Sequence, residues 1–495
     1  MTTSLKHKTV SGVKWQMINK ITQKVISVGT FAVLARILDP STFGLFAMAF
    51  ILIDGFQIFK SFGFDSALIQ RKENIEEASH TAYFIVQGTG VLMFLLCYLA
   101  APVAAGFLHN QEVTSIIRAL GFIFVFSSFA RIPSTLLTKQ MRFNVLAMID
   151  LIGAVVNSAV AITLALISPT VWALVWAYLL KQLTVAILTR KFSGYRLKWK
   201  FDTKVARELF RFGKFMMGLS ILYYFNDNIN NIVIAKILGA TALGYYALSA
   251  NIGNFINTHF TYLLEGVMFP AYSSIQQDRE EVKRVYLKTV KLVSIVAFPF
   301  CILLIFLAKE FTLTLYGAKW LPIVPLIRFF GVIQMVVPVY VCSGSLFMGC
   351  GRPDYLQRIA LYQLLLQIPA LILFTKYLGV IGAVVAVFVT FWSFLPLNIN
   401  WVRGLVKFQI KEFLQQFLPS IYCAGAMTLV MLAIKLLACY STFSFLNTNY
   451  LVSLFVLAFS GAVAYVVAFF YVDRALALET KQLILNFNFM KKGDR

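Results

Sequence analysis

The sequence predicts an all-α polytopic membrane protein of about fourteen transmembrane helices, in two parallel six-helix lobes with two further helices appended. Three observations predict it. Hydrophobic residues make up 59% of the 495 and charged residues only 13%, with a mean hydropathy of +0.78, which is too apolar for a water-soluble domain of this length. Apolar stretches of about 20 residues, the length that spans a hydrocarbon core, recur from end to end between short polar links. Runs such as Gly90 to Phe107 and Leu361 to Phe374 are apolar on every side, whereas barrel strands alternate in segments of about 10 residues.

Taken in order, the spans are expected at 15–38, 44–62, 80–107, 113–137, 145–167, 171–188, 209–238, 244–269, 290–315, 322–347, 359–377, 379–399, 418–440 and 450–471. The first reads as a retained helix, because Lys14, Lys20 and Lys24 interrupt the apolar core that a cleaved signal peptide would need. With both termini inside, 30 of the 44 Lys and Arg residues fall in the tails, the inner links and their adjoining helix ends. The outer side holds only Arg36, Lys236, Lys309, Lys319 and Lys376. This asymmetry predicts cytoplasmic termini. It also accounts for a net charge of +23, which on a soluble chain would point to nucleic acid; no nucleic-acid partner is expected here. The basic link from Arg190 to Arg211 is also placed to meet anionic lipid headgroups, at about 1 kcal/mol per nearby cation.

Six cysteines lie mostly in or beside apolar runs with no CxxC pair, and the four histidines are scattered. Neither a disulfide framework nor a zinc site is suggested, the chain has no GxxxxGK[ST] phosphate loop, and no cofactor is expected.

The chain repeats itself. Shifted by 200 residues, AKILGATALGYYALSA at Ala235 aligns with ARILDPSTFGLFAMAF at Ala35, with identities at Ala35/Ala235, Ile37/Ile237, Leu38/Leu238, Gly44/Gly244 and Ala47/Ala247. A second match, at an offset of 210, sets Arg142 against Arg352 and PTVWALV at Pro169 against GVIGAVV at Gly379. Both occur in the same order and sense. They predict an N-terminal lobe over 1–188, a cytoplasmic basic link over 189–208, a C-terminal lobe over 209–399, appended helices within 418–471 and a cytoplasmic tail over 472–495.

At these residues the chain resembles a known family. TVSGVKW at Thr9, ARILDPSTFGLFAMA at Ala35, GFDSALIQRK at Gly63, GAKWLPIVPLIRFFG at Gly317 and GRPDYLQR at Gly351 are similar to motifs of Wzx-like polysaccharide flippases. These belong to the multidrug/oligosaccharidyl-lipid/polysaccharide exporter superfamily, and the likeness is to the branch handling colanic-acid and teichuronic-acid repeats. It extends to about residue 400. The resemblance implies a V-shaped pair of lobes, alternating access, location in a bacterial inner membrane, and an undecaprenyl-diphosphate-linked oligosaccharide as cargo. A coupling cation, H+ or Na+, is a further partner to be considered.

Ionisable groups in the hydrocarbon region cost at least about 2.5–3.5 kcal/mol near a helix centre and normally face a cavity. Nine bases lie within the expected spans, Lys20, Lys24, Lys60, Arg118, Arg131, Lys181, Lys214, Arg328 and Lys435, against four acids, Asp54, Asp150, Asp227 and Glu265. The first span carries Gln16, Lys20, Gln23, Lys24 and Ser27 at helical spacing, a polar stripe that cannot face acyl chains. The seventh carries Asn226, Asp227, Asn228, Asn230 and Asn231 about halfway across, where such groups bind sugar hydroxyls or bond to neighbouring helices. Lys24, Arg118, Lys214 and Arg328 are the main candidates for a diphosphate site, with Lys20, Asn226, Asp227 and Asn230 as further cargo contacts. Asp54, Asp150 and Glu265 are candidates for coupling. Lys60, Arg131 and Lys181 are placed near span ends, where a cation snorkels to the surface; Lys435 sits on an appended helix.

Cations in a low-dielectric cavity would offset the desolvation of a diphosphate. With the inside negative, outward movement of such an anion gains about 2.3 kcal/mol per charge per 100 mV. A drug or cation antiporter of the same superfamily is the alternative, but it should line its cavity with carboxylates. An integral glycosyltransferase, polymerase or ligase would need an external reaction site, and the longest outer link is only about ten residues.

Overall fold

The computed structural model describes residues 3–61, 68, 75–199, 201–440, 449–474 and 476. Side chains are described for all of these except residues 3–14, 16–18, 60, 61, 204, 205, 208–223, 256–265, 439 and 440. The described chain divides into two compact units, residues 1–247 and 248–495.

In the first unit the helices are α1 (Thr3–Ile37), α2 (Pro40–Ser61), α3 (Ile75–Phe107), α4 (Glu112–Leu120), α5 (Phe122–Lys139), α6 (Phe143–Ile167), α7 (Val171–Ser193) and α8 (Thr203–Leu238). Helix α9 (Ala240–Gly253) carries the chain into the second unit. There follow α10 (Phe255–Ile275), α11 (Arg279–Phe306), α12 (Ala308–Leu315), α13 (Ile323–Gln334), α14 (Val337–Gly349), α15 (Pro353–Val406), α16 (Ile410–Gln415), α17 (Leu418–Tyr440) and α18 (Tyr450–Val472).

The expected spans fall mainly on helical backbone among the described residues, and the chain is a multi-pass membrane protein. By length and apolarity, nine helices among the described residues can cross a bilayer, or ten if α13 and α14, bent by 44°, form one crossing. That number differs from about fourteen for physical reasons. Helix α15 counts once, yet 54 residues would extend about 80 Å, more than twice the hydrocarbon thickness. It is broken at Gly379, whose φ of 62° and ψ of −142° lie in a region open essentially to glycine alone. The chain folds back there, so that a Cβ on Gly382 would collide with the Phe374 carbonyl. Helices α1 and α8 fall outside the nine; they carry the lysine-glutamine stripe and the Asn-Asp run. Helices α9 and α10 fall outside them too, split at Gly253–Phe255.

The 210-residue repeat reappears in the backbone. Helix α5 ends with Met141 N–H donating to Thr138 O and Arg142 N–H to Leu137 O; α14 ends with Gly351 N–H donating to Met348 O and Arg352 N–H to Phe347 O. Met141 and Gly351 have φ of 57° and 70°. Each end is therefore the same left-handed cap, reached by a methionine in one copy and a glycine in the other.

In the first unit, α1 packs along α6 in the same sense. The Thr30 and Ser158 hydroxyls lie 2.7 Å apart, and Leu34 and Leu38 share a buried cluster with Ala161 and Ala165. In the second unit the core gathers around Tyr286, Phe408 and Phe413, with the last two rings 5.4 Å apart. Within that unit Ser343 donates to Asn398 Oδ1 at 2.7 Å. The two helices expected as an appendage are packed into this unit. The Tyr465 hydroxyl donates to Ile295 O at 2.7 Å, Lys291 forms an ion pair with Asp473, and Lys435 Nζ stands 2.8 Å from Glu310 Oε1.

Candidate functional site

Within the first unit, helices α2 and α8 cross where the Tyr224 hydroxyl donates to Ile51 O at 2.8 Å. Asp54 lies one turn from Ile51 and Asp227 one turn from Tyr224, and the crossing brings the two carboxylates close enough for their charges to act on each other. Asp54 is half-buried and Asp227 exposed at the protein surface. Tyr178 of α7 completes this group: its ring meets Phe50 edge-on at 5.0 Å, and its hydroxyl is near enough to feel the charge of Asp54.

One turn along α7, Lys181 Nζ lies 5.8 Å from the centre of the Tyr178 ring. The sequence reading places Lys181 near a span end, and the structure corrects this. Helix α7 runs from Val171 to Ser193, which leaves Lys181 near its middle. Instead its charge faces Asp150 of α6, and its Cγ lies 3.5 Å from where a Cβ on Gly153 would stand. The missing side chain on α6 makes room for Val185, whose Cγ2 would stand 2.8 Å from such a Cβ, and so lets α7 pack close with the lysine stem against Gly153. Lys24 approaches the same level: counting back from Thr30 beside Ser158 along two parallel helices sets it within about a turn of Asp150. Lys24 is half-buried and Lys20 exposed, while Asn19 behind them is buried and accepts from Gln23 Nε2 at 3.0 Å.

The Asn run divides by role. Asn230 bonds to the buried Tyr246 hydroxyl, and Asn231 Nδ2 donates to Asn228 Oδ1 at 3.5 Å. The first ties α8 to α9 and the second stays within α8, leaving Asn226 beside Asp227 of the acidic pair. Arg118 stands apart. Its guanidinium carbon lies 4.4 Å from the centre of the Tyr98 ring, and its buried Nε has no hydrogen-bond partner among the described residues. In the second unit Arg328 is exposed on α13. The side chains of Lys214, Glu265 and Lys60 lie outside the described residues.

The structure therefore joins Asp54, Asp150 and Asp227 into one polar track with three residues that the site reading omits or assigns elsewhere, Tyr178, Lys181 and Tyr224, and sets Lys24 on α1 at about the level of Asp150. Their signal was present in the spacing. Tyr224, Asp227, Asn228 and Asn231 repeat at 3, 4 and 7 positions along one helix face, as do Tyr178, Lys181, Gln182 and Val185. Such a track, charged on both signs and set in apolar helices, offers cationic and carboxylate groups to a polar solute at depths where lipid offers none.

The family model described as "Polysaccharide biosynthesis protein" matches residues 33–325. The chain belongs to this polysaccharide biosynthesis family. The match runs from α1 to α13 and takes in the whole track from Asp54 to Asp227. Among curated relatives, the chain is 28% identical over 381 residues to the lipopolysaccharide biosynthesis protein WzxC of Escherichia coli (strain K12), covering 77% of each chain. It is 27% identical over 355 residues to the teichuronic acid biosynthesis protein TuaB of Bacillus subtilis (strain 168), covering 71% of this chain and 73% of that one. Among solved structures, the lipid II flippase MurJ in an inward closed conformation superposes with a TM-score of 0.73 at 14% identity, covering 94% of this chain and 99% of the other. At that identity the likeness establishes the fold.

Proposed function

We propose that this family member is a flippase. It translocates an undecaprenyl-diphosphate-linked oligosaccharide repeat unit from the cytoplasmic to the outer leaflet of a bacterial inner membrane, for surface polysaccharide assembly, by alternating access. Both termini are cytoplasmic in this reading, and the two repeats form lobes over 1–188 and 209–399. The protein performs no bond chemistry of its own. The observation that carries the reading is the polar track from Asp150 and Lys181 through Tyr178 to Asp54 and Asp227, kept where the apolar helices α2, α6 and α7 of a polysaccharide biosynthesis protein meet the polar run of α8. A soluble diphosphate-sugar headgroup needs such a path through hydrocarbon.

Lys24 and Lys181 supply positive charge to the diphosphate, and Lys20, Arg118, Lys214 and Arg328 extend it at other depths. Asn226 and the tyrosine hydroxyls suit sugar hydroxyls. The Asp54–Asp227 pair, with Asp150 and Glu265 as further acids, is the place for a coupling H+ or Na+: two carboxylates close enough to repel each other favour holding one cation between them. The same pair is the feature that favours the alternative, a drug or cation antiporter.

Reconstitution separates the two readings. In proteoliposomes carrying a fluorescent undecaprenyl-diphosphate oligosaccharide, the flippase moves label to the opposite leaflet. Cells lacking the protein accumulate lipid-linked repeat on the inner leaflet and keep their resistance to cationic dyes. No leaflet transfer, together with new dye sensitivity and normal surface polysaccharide, would reverse the assignment.

A further inference from the structure

The segment between α7 and α8 has no regular secondary structure over residues 194–199 and 201–202, and it is strapped across the first turns of α3. The Tyr195 hydroxyl lies 2.9 Å from His80 Nδ1 and donates to Ser79 O at 3.4 Å. Lys198 Nζ donates to Glu76 Oε1 at 2.5 Å, and Asp202 N–H donates to Thr81 Oγ1 at 3.0 Å. Just upstream, Arg190 donates to the Tyr83 hydroxyl at 3.0 Å. Burial pushes the Tyr195 phenol up to about 12. The strap is thus a built feature of the unit.

Tyr195 and Leu197 pack onto the buried cluster of Ala78, Ala82, Tyr83 and Val86. Trp199 and Phe201 come next among the apolar residues of the segment, and here the protein stops covering them. Trp199 touches Phe84 with a ring separation of 5.1 Å yet is 87% exposed, and Phe201 is 57% exposed. The end of α7 and the start of the segment hold Lys191 and Arg196, both exposed. An apolar edge with a tryptophan, flanked by cations and held at the end of a membrane-crossing helix, has the composition of a bilayer interface anchor.

We propose that this strap docks on anionic phospholipid headgroups, with Trp199 and Phe201 entering the boundary between headgroup and acyl chain while Lys191 and Arg196 meet the phosphates. The occupant is bulk anionic phospholipid of the cytoplasmic leaflet; the side of the membrane rests on the orientation proposed above. The contact would hold the α7–α8 connection at a set depth.

The test uses the full chain in nanodiscs of phosphatidylcholine containing an equal fraction of brominated phosphatidylcholine or brominated phosphatidylglycerol. Subtracting Trp199→Phe from wild type isolates the Trp199 fluorescence, and phenylalanine keeps a ring against Phe84. The expected result is quenching of Trp199 at least twofold stronger by the anionic lipid, with the ratio falling to one in Lys191→Gln/Arg196→Gln. No quenching by either lipid would overturn the docking, and equal quenching by both in wild type would overturn the anionic preference. A cysteine at Ser193 labelled only from outside the cell would overturn the cytoplasmic side separately, since quenching does not depend on it.

Discussion

Gly44 and Gly244, 200 residues apart, pack against one another at the starts of α2 and α9. A Cβ on Gly244 would stand 3.3 Å from Gly44 N and would collide with the Pro40 carbonyl, while a Cβ on Gly44 would collide with the Ala240 carbonyl. Pro40 and Ala240 are themselves 200 residues apart, so the contact is reciprocal: each copy of the repeat presents its glycine to the other's helix start. Neither carbonyl can move without shifting a helix. Gly44→Ala and Gly244→Ala are each expected to cost about 1–3 kcal/mol, read as a lower melting temperature in detergent. Gly29→Ala, where a Cβ meets nothing within 4 Å, should leave it unchanged or raise it.

The polar track makes a prediction about transport. Lys24→Ala and Lys181→Ala should each cut leaflet transfer of the fluorescent oligosaccharide lipid about tenfold or more, and Lys→Arg at either site should retain most of it, because charge is what matters there. Arg118→Ala should chiefly lower stability, by about 1 kcal/mol, since its described contact is the Tyr98 ring. If both lysine variants transport normally, the track is structural.

For the acidic pair, Asp54→Asn and Asp227→Asn should abolish the dependence of transport on pH or Na+, whichever couples. Tyr224→Phe removes only the hydroxyl that bonds Ile51 O and should lower the rate about twofold with the dependence intact. Ion dependence surviving in both asparagine variants would move coupling elsewhere.

Lys435 and Glu310 form an ion pair whose acid is 11% exposed and whose lysine is 34% exposed. Lys435→Ala strands the buried carboxylate and should cost about 2 kcal/mol, below the 3–5 of fully buried pairs because the lysine is partly solvated. The double variant Lys435→Met/Glu310→Leu should recover most of that in the same thermal unfolding assay. Additive losses would show that the pair does not couple.

Topology has a direct check. Cysteines at Ser193 and Gln277 should react with an impermeant maleimide only from the cytoplasmic side, and one at the exposed Ser168 between α6 and α7 only from outside. Ser168 reacting from within would invert the assigned orientation.

Hydropathy depends on which residues are near one another in the chain, so the sequence by itself determined that this protein is helical, membrane-embedded, and charged along particular faces. The repeat was equally local: the glycines at 44 and 244 and the arginines at 142 and 352 align as strings, before any packing is known. What a charged residue faces is another matter, because it depends on the rotation of each helix and on which helix lies beside it. Lys181 reads as a cation near a span end until α7 continues to Ser193 and Asp150 proves to be its neighbour across α6. Lys435 reads as an outlier on an appendage until Glu310, 125 positions away, is found 2.8 Å from it. Tyr224 reads as one aromatic among many until its hydroxyl meets Ile51 O beside Asp54. Only the tertiary structure decided those pairings, since each joins helices whose order in the chain does not specify their contact.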